Sequence, residues 1–229
     1  MTDSGKQISI VGRLGVFPLV RLTLPSRRIF AFLALYADPV SRVIAADHLW
    51  ADQPEAQARA NLRRALWQSP PGWVVSSTDE LHLDASVDLP LARRIAARAL
   101  DGGELTLTEI SILSNDLLPG WHEEWVIAAQ DAFHLLRVQA LEAACLTMST
   151  IGHHALATQA GTAALAAEPL RESAAAALIR AHLLEGNRYA ADRRFHDFGR
   201  TLYAELGVAP NPALVAAIAR VDENTIPSD

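Results

Sequence analysis

The sequence predicts a mainly α chain, with a small N-terminal α+β domain followed by an all-α array of helical hairpins. Three observations lead there. Apolar residues alternate in short bursts up to Leu24 and then change to helical spacing at Pro25-Ser26. Three helical stretches are followed by a short apolar pair of strands around a polar turn. Beyond Leu89 the pattern is almost wholly helical, and Gly152 and Gly186 stand 34 residues apart in it. With 229 residues, half of them hydrophobic, each part is large enough to bury a core of its own, so two domains are expected, 1–88 and 89–229.

Near the N-terminus, Ile8 and Ile10, then Leu14 and Val16, then Val20, Leu22 and Leu24 keep a period of two, with Gly12, Gly15 and Pro18 between the bursts. That pattern predicts two or three short strands. Ile29, Phe30, Phe32, Leu33 and Tyr36 then space as a helix that Asp38-Pro39 ends. Ser41 is the expected N-cap of a second, short helix with Val43, Ile44, Leu49 and Trp50 on its apolar face. A third helix starts near Pro54, whose fixed φ and missing amide suit a first turn, and runs to Trp67 before the stop at Ser69-Pro70-Pro71-Gly72. Trp73–Val75 and Leu81–Leu83, around a turn from Ser76 to Glu80, predict a β-hairpin. Strands, three helices and a hairpin, in that order, make a winged helix-turn-helix of the response-regulator type, with the third helix in the major groove and the hairpin as the wing.

Further helices are expected over 90–100, 108–113, 121–150, 154–167, 170–185, 188–206 and 212–222, separated by short Gly- or Pro-containing loops. The 34-residue spacing is that of tetratricopeptide repeats. Gly152 is followed by Ala157, Gly161, Ala164 and Pro169, and Gly186 by Ala191, Phe195 and Phe198, with Tyr203 where the proline would fall. Small residues at such positions let two helices approach closely.

Several segments carry a resemblance to a known family. Leu117-Leu118-Pro119-Gly120-Trp121, Glu124-Trp125, Glu168–Ser173, Leu183–Asn187 and Tyr203–Pro210 resemble, in order and spacing, the bacterial transcriptional activation domain. Pro39–Arg42, His48-Leu49-Trp50 and Ala58–Arg63 resemble the winged-helix half of the same proteins, the SARP family of antibiotic-pathway regulators. The resemblance implies an activator that binds direct repeats in double-stranded promoter DNA, often as a homodimer, and contacts the RNA polymerase holoenzyme. The chain departs from the family in two respects: its third helix stops early, and its first domain carries no excess of positive charge.

Net charge is −6, but the two parts differ. Nine basic residues meet nine acidic ones up to Leu89, and eleven meet seventeen after it, so the acidity belongs to the second part. Lys6 is the one lysine among twenty basic residues, so phosphate contacts would fall to arginine, whose planar fork binds phosphate and guanine edges bidentately. On the third helix, Ala58, Leu62, Ala65 and Leu66 share the expected core face. The opposite face carries Ala56, Ala60, Arg63, Arg64 and Trp67, flanked by Gln57 and Arg59. Small residues there would let the backbone approach the groove while the arginines reach base edges and phosphates. Arg27 and Arg28 at the first helix, and Ser77 and Thr78 in the wing, are further candidates for the phosphate backbone, with Asp79 and Glu80 opposing them. Trp67 is expected to pack under the wing.

Other chemistry finds no support. His153-His154, His182 and His196 lack the i, i+4 pairing with a carboxylate that zinc sites use, and His182 falls on an interior face. Cys145 sits among apolar neighbours and is expected to be core packing. Glycine-rich phosphate loops and glycine-flanked nucleophiles are missing from the sequence, so no enzyme, cofactor or metal is expected. No apolar run is long enough to span a bilayer and the N-terminal residues lack a signal-peptide pattern, which predicts a cytoplasmic protein. A rival function is that of a tetratricopeptide-like interaction protein whose winged helix docks protein instead of DNA, and a third is sensing of a peptide or small ligand by the helical groove.

Overall fold

The computed structural model describes residues 5–212. It is mainly helical with a small N-terminal sheet region. Two compact units divide it: one gathers the chain up to Arg93 with Asn115–His134, the other gathers Arg94–Ser114 with the chain from Leu135 onward.

In the first unit β1 (Gln7–Ser9) and β2 (Gly15–Phe17) pair antiparallel, Ile8 opposite Val16. The apolar pattern at Val20–Leu24 makes no strand. Thr23 instead caps α1 (Leu24–Ala34) by accepting the Ser26 amide, and the segment before it stays irregular. The physical reason is local, since a Thr cap followed by Pro25 in the first turn favours a helix start over a third strand. From α1, Ile29, Phe30 and Phe32 are fully buried. β3 (Val40–Ser41) leads into α2 (Arg42–Leu49), capped by Ser41 as expected. The buried face of α2 is Ala45, Ala46 and Leu49, whereas Val43 and Ile44 are more than 40% exposed, which corrects the apolar face expected for this helix. Its first turn carries those two side chains away from α1, and the alanines permit the closer packing.

Next come α3 (Glu55–Trp67), β4 (Val74–Ser76), β5 (Glu80–Leu83) and β6 (Ser86–Val87). β5 lies between β4 and β3, both antiparallel to it, while β6 runs parallel to β1. Asp88 then accepts the Ile10 and Val11 amides. Its burial raises the carboxyl above its usual range although these hydrogen bonds work in the opposite direction.

α4 (Leu89–Leu100) and α5 (Leu107–Leu113) follow, the latter started by a capping box between Thr106 and Glu109. The chain then returns to the first unit. Leu117 bridges to Val11 and Gly12, Gly12 N–H donates to the Asp116 carbonyl at 2.7 Å, and Leu118 N–H donates to the Ile10 carbonyl at 2.9 Å. Leu118 holds a left-handed φ of 45°, and the Gln130 side chain donates to its carbonyl at 2.9 Å. Trp125 meets Phe32 edge-on at 5.4 Å and Trp121 at 6.0 Å. The Leu-Leu-Pro-Gly-Trp segment thus packs against the link between β1 and β2.

α6 (Glu124–Thr150) begins in the first unit and ends in the second, where α7 (His154–Ala167), α8 (Glu172–Leu184) and α9 (Arg188–Leu206) form successive hairpins. Gly152 and Gly186 occupy the turns before α7 and α9 with φ of 86° and 80°, a conformation that excludes most side chains. At Gly161 the helices pack closely, because a Cβ there would lie 2.8 Å from Cys145 Sγ and 3.1 Å from Leu178 Cβ. Cys145 is fully buried, and burial pushes its thiol up to about 12, so it is packing. In the second hairpin Ala191 packs with Ile179 and Leu183, and Phe198 with Ala175 and Leu202. Of the helix expected over 212–222, all but Pro212 lies outside the described residues. Among the described residues no helix is long and apolar enough to cross a membrane.

Candidate nucleic-acid interface

α3 takes its place through its inner face. Ala58, Leu62 and Ala65 are at most 2% exposed. Pro54 precedes the first turn, Glu55 faces the positive end of the helix dipole, and the Ser69 hydroxyl donates to the Ala65 carbonyl at the other end. With that face buried, a 3.6-residue repeat leaves Gln57, Arg59, Arg63 and Arg64 exposed and Ala60 half-buried. Gln57 donates to Asn61 at 3.0 Å, and Arg59 pairs with Glu55 one turn earlier. Among the described residues, the side chains of Arg63 and Arg64 have no hydrogen-bond or ion-pair partner, so their guanidinium groups face solvent.

The wing tip closes on the same side. Ser77 Oγ accepts the Asp79 and Glu80 amides at 3.3 and 3.0 Å, so this hydroxyl shapes the turn and has little capacity left for a phosphate. Thr78 is exposed. Arg42, at the start of α2, donates to Ser76 Oγ and to the Ser77 carbonyl, and its own amide donates to the Asp79 carbonyl at 2.8 Å. These bonds tie the wing to α2. Between them and α3 lies a cleft of about 360 Å³ lined by Arg42, Arg59, Arg63, Thr78 and Asp79 among others. With Arg59 paired to Glu55, Arg42 and Arg63 against Asp79 still leave its field positive.

The structure therefore brings Arg59, Arg63 and Thr78 together and adds Arg42, which sequence patterning did not single out. A guanidinium at the first residue of a short helix has no periodic signal; only the β3–β5 pairing brings it to the wing. Gln57, Ala60 and Arg64 stand on the same helix outside the cleft. Arg28 is placed elsewhere: it donates to Glu123 at 2.7 Å and to the Leu49 carbonyl at 2.6 Å, and lies 5.8 Å from the Trp50 ring centre. Those partners use the donors a phosphate would need. Arg27 beside it is exposed.

The neutral sum of the first 88 residues hides a segregation of charge. Asp84 pairs with Lys6 at 2.8 Å, Asp88 accepts backbone amides, and Asp47 and Asp52 face a different cavity from the arginine cleft. Among the described residues, no group of three or more His, Cys, Asp and Glu is arranged to hold a metal ion.

Residues 110–221 match the family model of the bacterial transcriptional activator domain. In fold, the chain is similar to Mycobacterium tuberculosis EmbR in a complex with a low-affinity phosphopeptide, with a TM-score of 0.67 over 98% of this chain at 21% identity. The chain therefore resembles, over 112 of its 229 residues, the bacterial transcriptional activator domain. It spans 66% of the length of the EmbR chain, and at 21% identity the likeness is one of fold. No curated protein sequence matches this chain. The activator-domain match covers the Leu-Leu-Pro-Gly-Trp segment and the helical hairpins, so it takes in residues of both compact units.

One expectation is overturned. Trp67 does not pack under the wing; it is 86% exposed at the end of α3. The tryptophan that fills that role is Trp73, 4% exposed and 5.8 Å from the Phe30 ring. Early termination at Pro70-Pro71 leaves Trp67 on the last turn of α3, on the outer side with Arg63 and Arg64.

Proposed function

We propose that this chain is a sequence-specific DNA-binding activator of transcription in the bacterial cytoplasm. Residues 1–88 read double-stranded promoter DNA, and residues 89–229 use their tetratricopeptide-like hairpins for self-association or for contact with RNA polymerase holoenzyme. α3 enters the major groove, with Arg63 and Arg64 toward base edges and phosphates, Ala56 and Ala60 allowing close approach, Gln57 on the flank, and Arg42, Arg59 and Thr78 flanking one backbone strand. The observation that supports this most is the pair of unpartnered arginines on α3 beside a cleft that holds three guanidinium groups. In a groove, each bidentate arginine pair contributes about 1–3 kcal/mol of base discrimination.

A specific observation favours a second function. A tryptophan 86% exposed on the outer side of α3 suits a protein contact, since tryptophan is enriched where interfaces concentrate their binding energy. The winged helix would then dock protein in place of DNA. One experiment separates the two. Genomic fragments bound by the full chain are selected and sequenced, with Arg63→Ala and Arg64→Ala in parallel. A repeated motif that the substitutions abolish is the outcome expected for an activator. Folded protein that enriches no motif at low salt would rule out DNA reading and leave protein docking.

A further inference from the structure

A second cavity in the first unit is separate from the arginine cleft. It has a volume of about 770 Å³, and every residue that lines it belongs to that one unit. α1 contributes Arg28 and Tyr36, the end of α2 contributes Asp47 to Trp50, the turn before α3 contributes Asp52, and the start of α6 contributes Glu123 to Trp125. The volume falls in the range of sites that enclose small organic molecules.

Its chemistry has two components. Tyr36, Trp50 and Trp125 supply aromatic surface, with Tyr36 44% exposed and the two tryptophans half-buried. Five ionised groups face the cavity besides His48: four carboxylates and one guanidinium. Arg28 is neutralised by Glu123 at 2.7 Å. Asp47, Asp52 and Glu124 have no ion-pair partner among the described residues, so three carboxylates are left uncompensated around a concave, partly apolar surface. Such a surface focuses a negative potential. The Arg28 guanidinium stands 5.8 Å from the Trp50 ring centre and occupies that face, so Trp50 offers a ligand its edge and apolar surface.

We infer that this cavity is a binding site for a small organic cation, an alkyl amine or diamine whose ammonium groups meet Asp47, Asp52 and Glu124 while its carbon chain lies on Tyr36, Trp50 and Trp125. A metal ion is the wrong occupant. It needs several oxygen ligands converging within about 2.0–2.6 Å of one point, and among the described residues no three such side chains converge. Carboxylates spread around an aromatic wall instead match a longer cation with separated charges. The site joins the turn that precedes α3 to the first turn of α6, so an occupant would brace the segment that leads into the DNA-facing helix. Binding itself is independent of whether α3 reads DNA.

The test uses the full chain, with cadaverine as the probe and 1,5-pentanediol, its uncharged analogue of equal length, as the control. Tryptophan fluorescence and melting temperature are followed at constant ionic strength. A saturable fluorescence change and a rise in melting temperature are expected with cadaverine below about 10 mM and neither with the diol. Asp52→Asn and Glu124→Gln, both at exposed positions, should each weaken binding roughly three- to tenfold, and Tyr36→Leu roughly threefold, while leaving the unliganded melting temperature near that of the wild type. No saturable response to cadaverine, an equal response to the diol, or a cadaverine affinity that both carboxylate variants leave unchanged would each overturn the site.

Discussion

Gly161→Ala places a methyl group where α7 packs closely on its neighbours. Its Cβ would stand 2.8 Å from Cys145 Sγ, 3.1 Å from Leu178 Cβ and 3.2 Å from Leu178 Cδ1. Comfortable carbon contacts begin near 3.5 Å, so each neighbour must yield by a few tenths of an ångström or more. The φ of Gly161 is an ordinary helical one, and alanine therefore gains about 0.8–1.0 kcal/mol of helix propensity. Overpacking a core costs about 1–3 kcal/mol. The expected net effect is a loss of roughly 1 kcal/mol, a fall of about 2–4 °C in melting temperature for a chain of this size. The sharper prediction concerns the double variant. Cys145→Ala removes the sulfur that the new methyl meets first and leaves only the Leu178 contacts, so in that background Gly161→Ala should be close to neutral. The coupling between the two sites should then be about 1–3 kcal/mol, measured by calorimetry on the four proteins of the cycle. An equal cost for Gly161→Ala with and without the sulfur would show that the small residue at this repeat position is not there to let the helices meet.

Three further outcomes follow from the same structure. Burial alone would raise the Glu109 carboxyl, but hydrogen bonds from Thr106 and the pair with Arg98 overcome it and hold the group below its usual range. A depressed carboxyl stabilises the fold above its unfolded value and loses that contribution as pH falls through the folded one, so Glu109→Gln should cost under about 1 kcal/mol at neutral pH and flatten the loss of melting temperature in acid. Trp67→Ala, at 86% exposure, should change stability by less than about 0.5 kcal/mol in thermal melts. Trp73→Ala, at 4% exposure against Phe30, should cost about 3–5 kcal/mol by the same assay.

The contrast between these two tryptophans shows what patterning reveals and what it does not. Helical periodicity put Ala58, Leu62 and Ala65 inside and Arg63 and Arg64 outside, because burial of one face of an isolated amphipathic helix is a property of the helix itself. Where Trp67 goes depends on whether another element reaches it, and the wing reaches Phe30 through Trp73 instead. The two-residue strands Val40–Ser41 and Ser86–Val87 were illegible for a related reason: they are too short to show alternation, and only their partners at Leu81 and Ile8 make them strands. Arg42 was missed with them. The repeat was legible because glycines at positive φ and small residues at tight contacts are demands of local geometry. The return of Asn115–His134 to the first unit was not, because it rests on long-range contacts such as Leu118 with Ile10 and Trp125 with Phe32.

The central claim is that the arginine face of α3 meets DNA, and the salt dependence of binding tests it most directly. Affinity for a selected fragment is measured across a range of salt for the wild type, Arg63→Ala and Arg64→Ala. A substitution that removes a phosphate contact lowers the slope of log affinity against log salt by about 0.9, and one that removes a base contact lowers affinity roughly 10- to 100-fold at that position with little change in slope. The proposed DNA contact predicts one or the other for each arginine. Wild-type affinity and slope retained in both variants would contradict it.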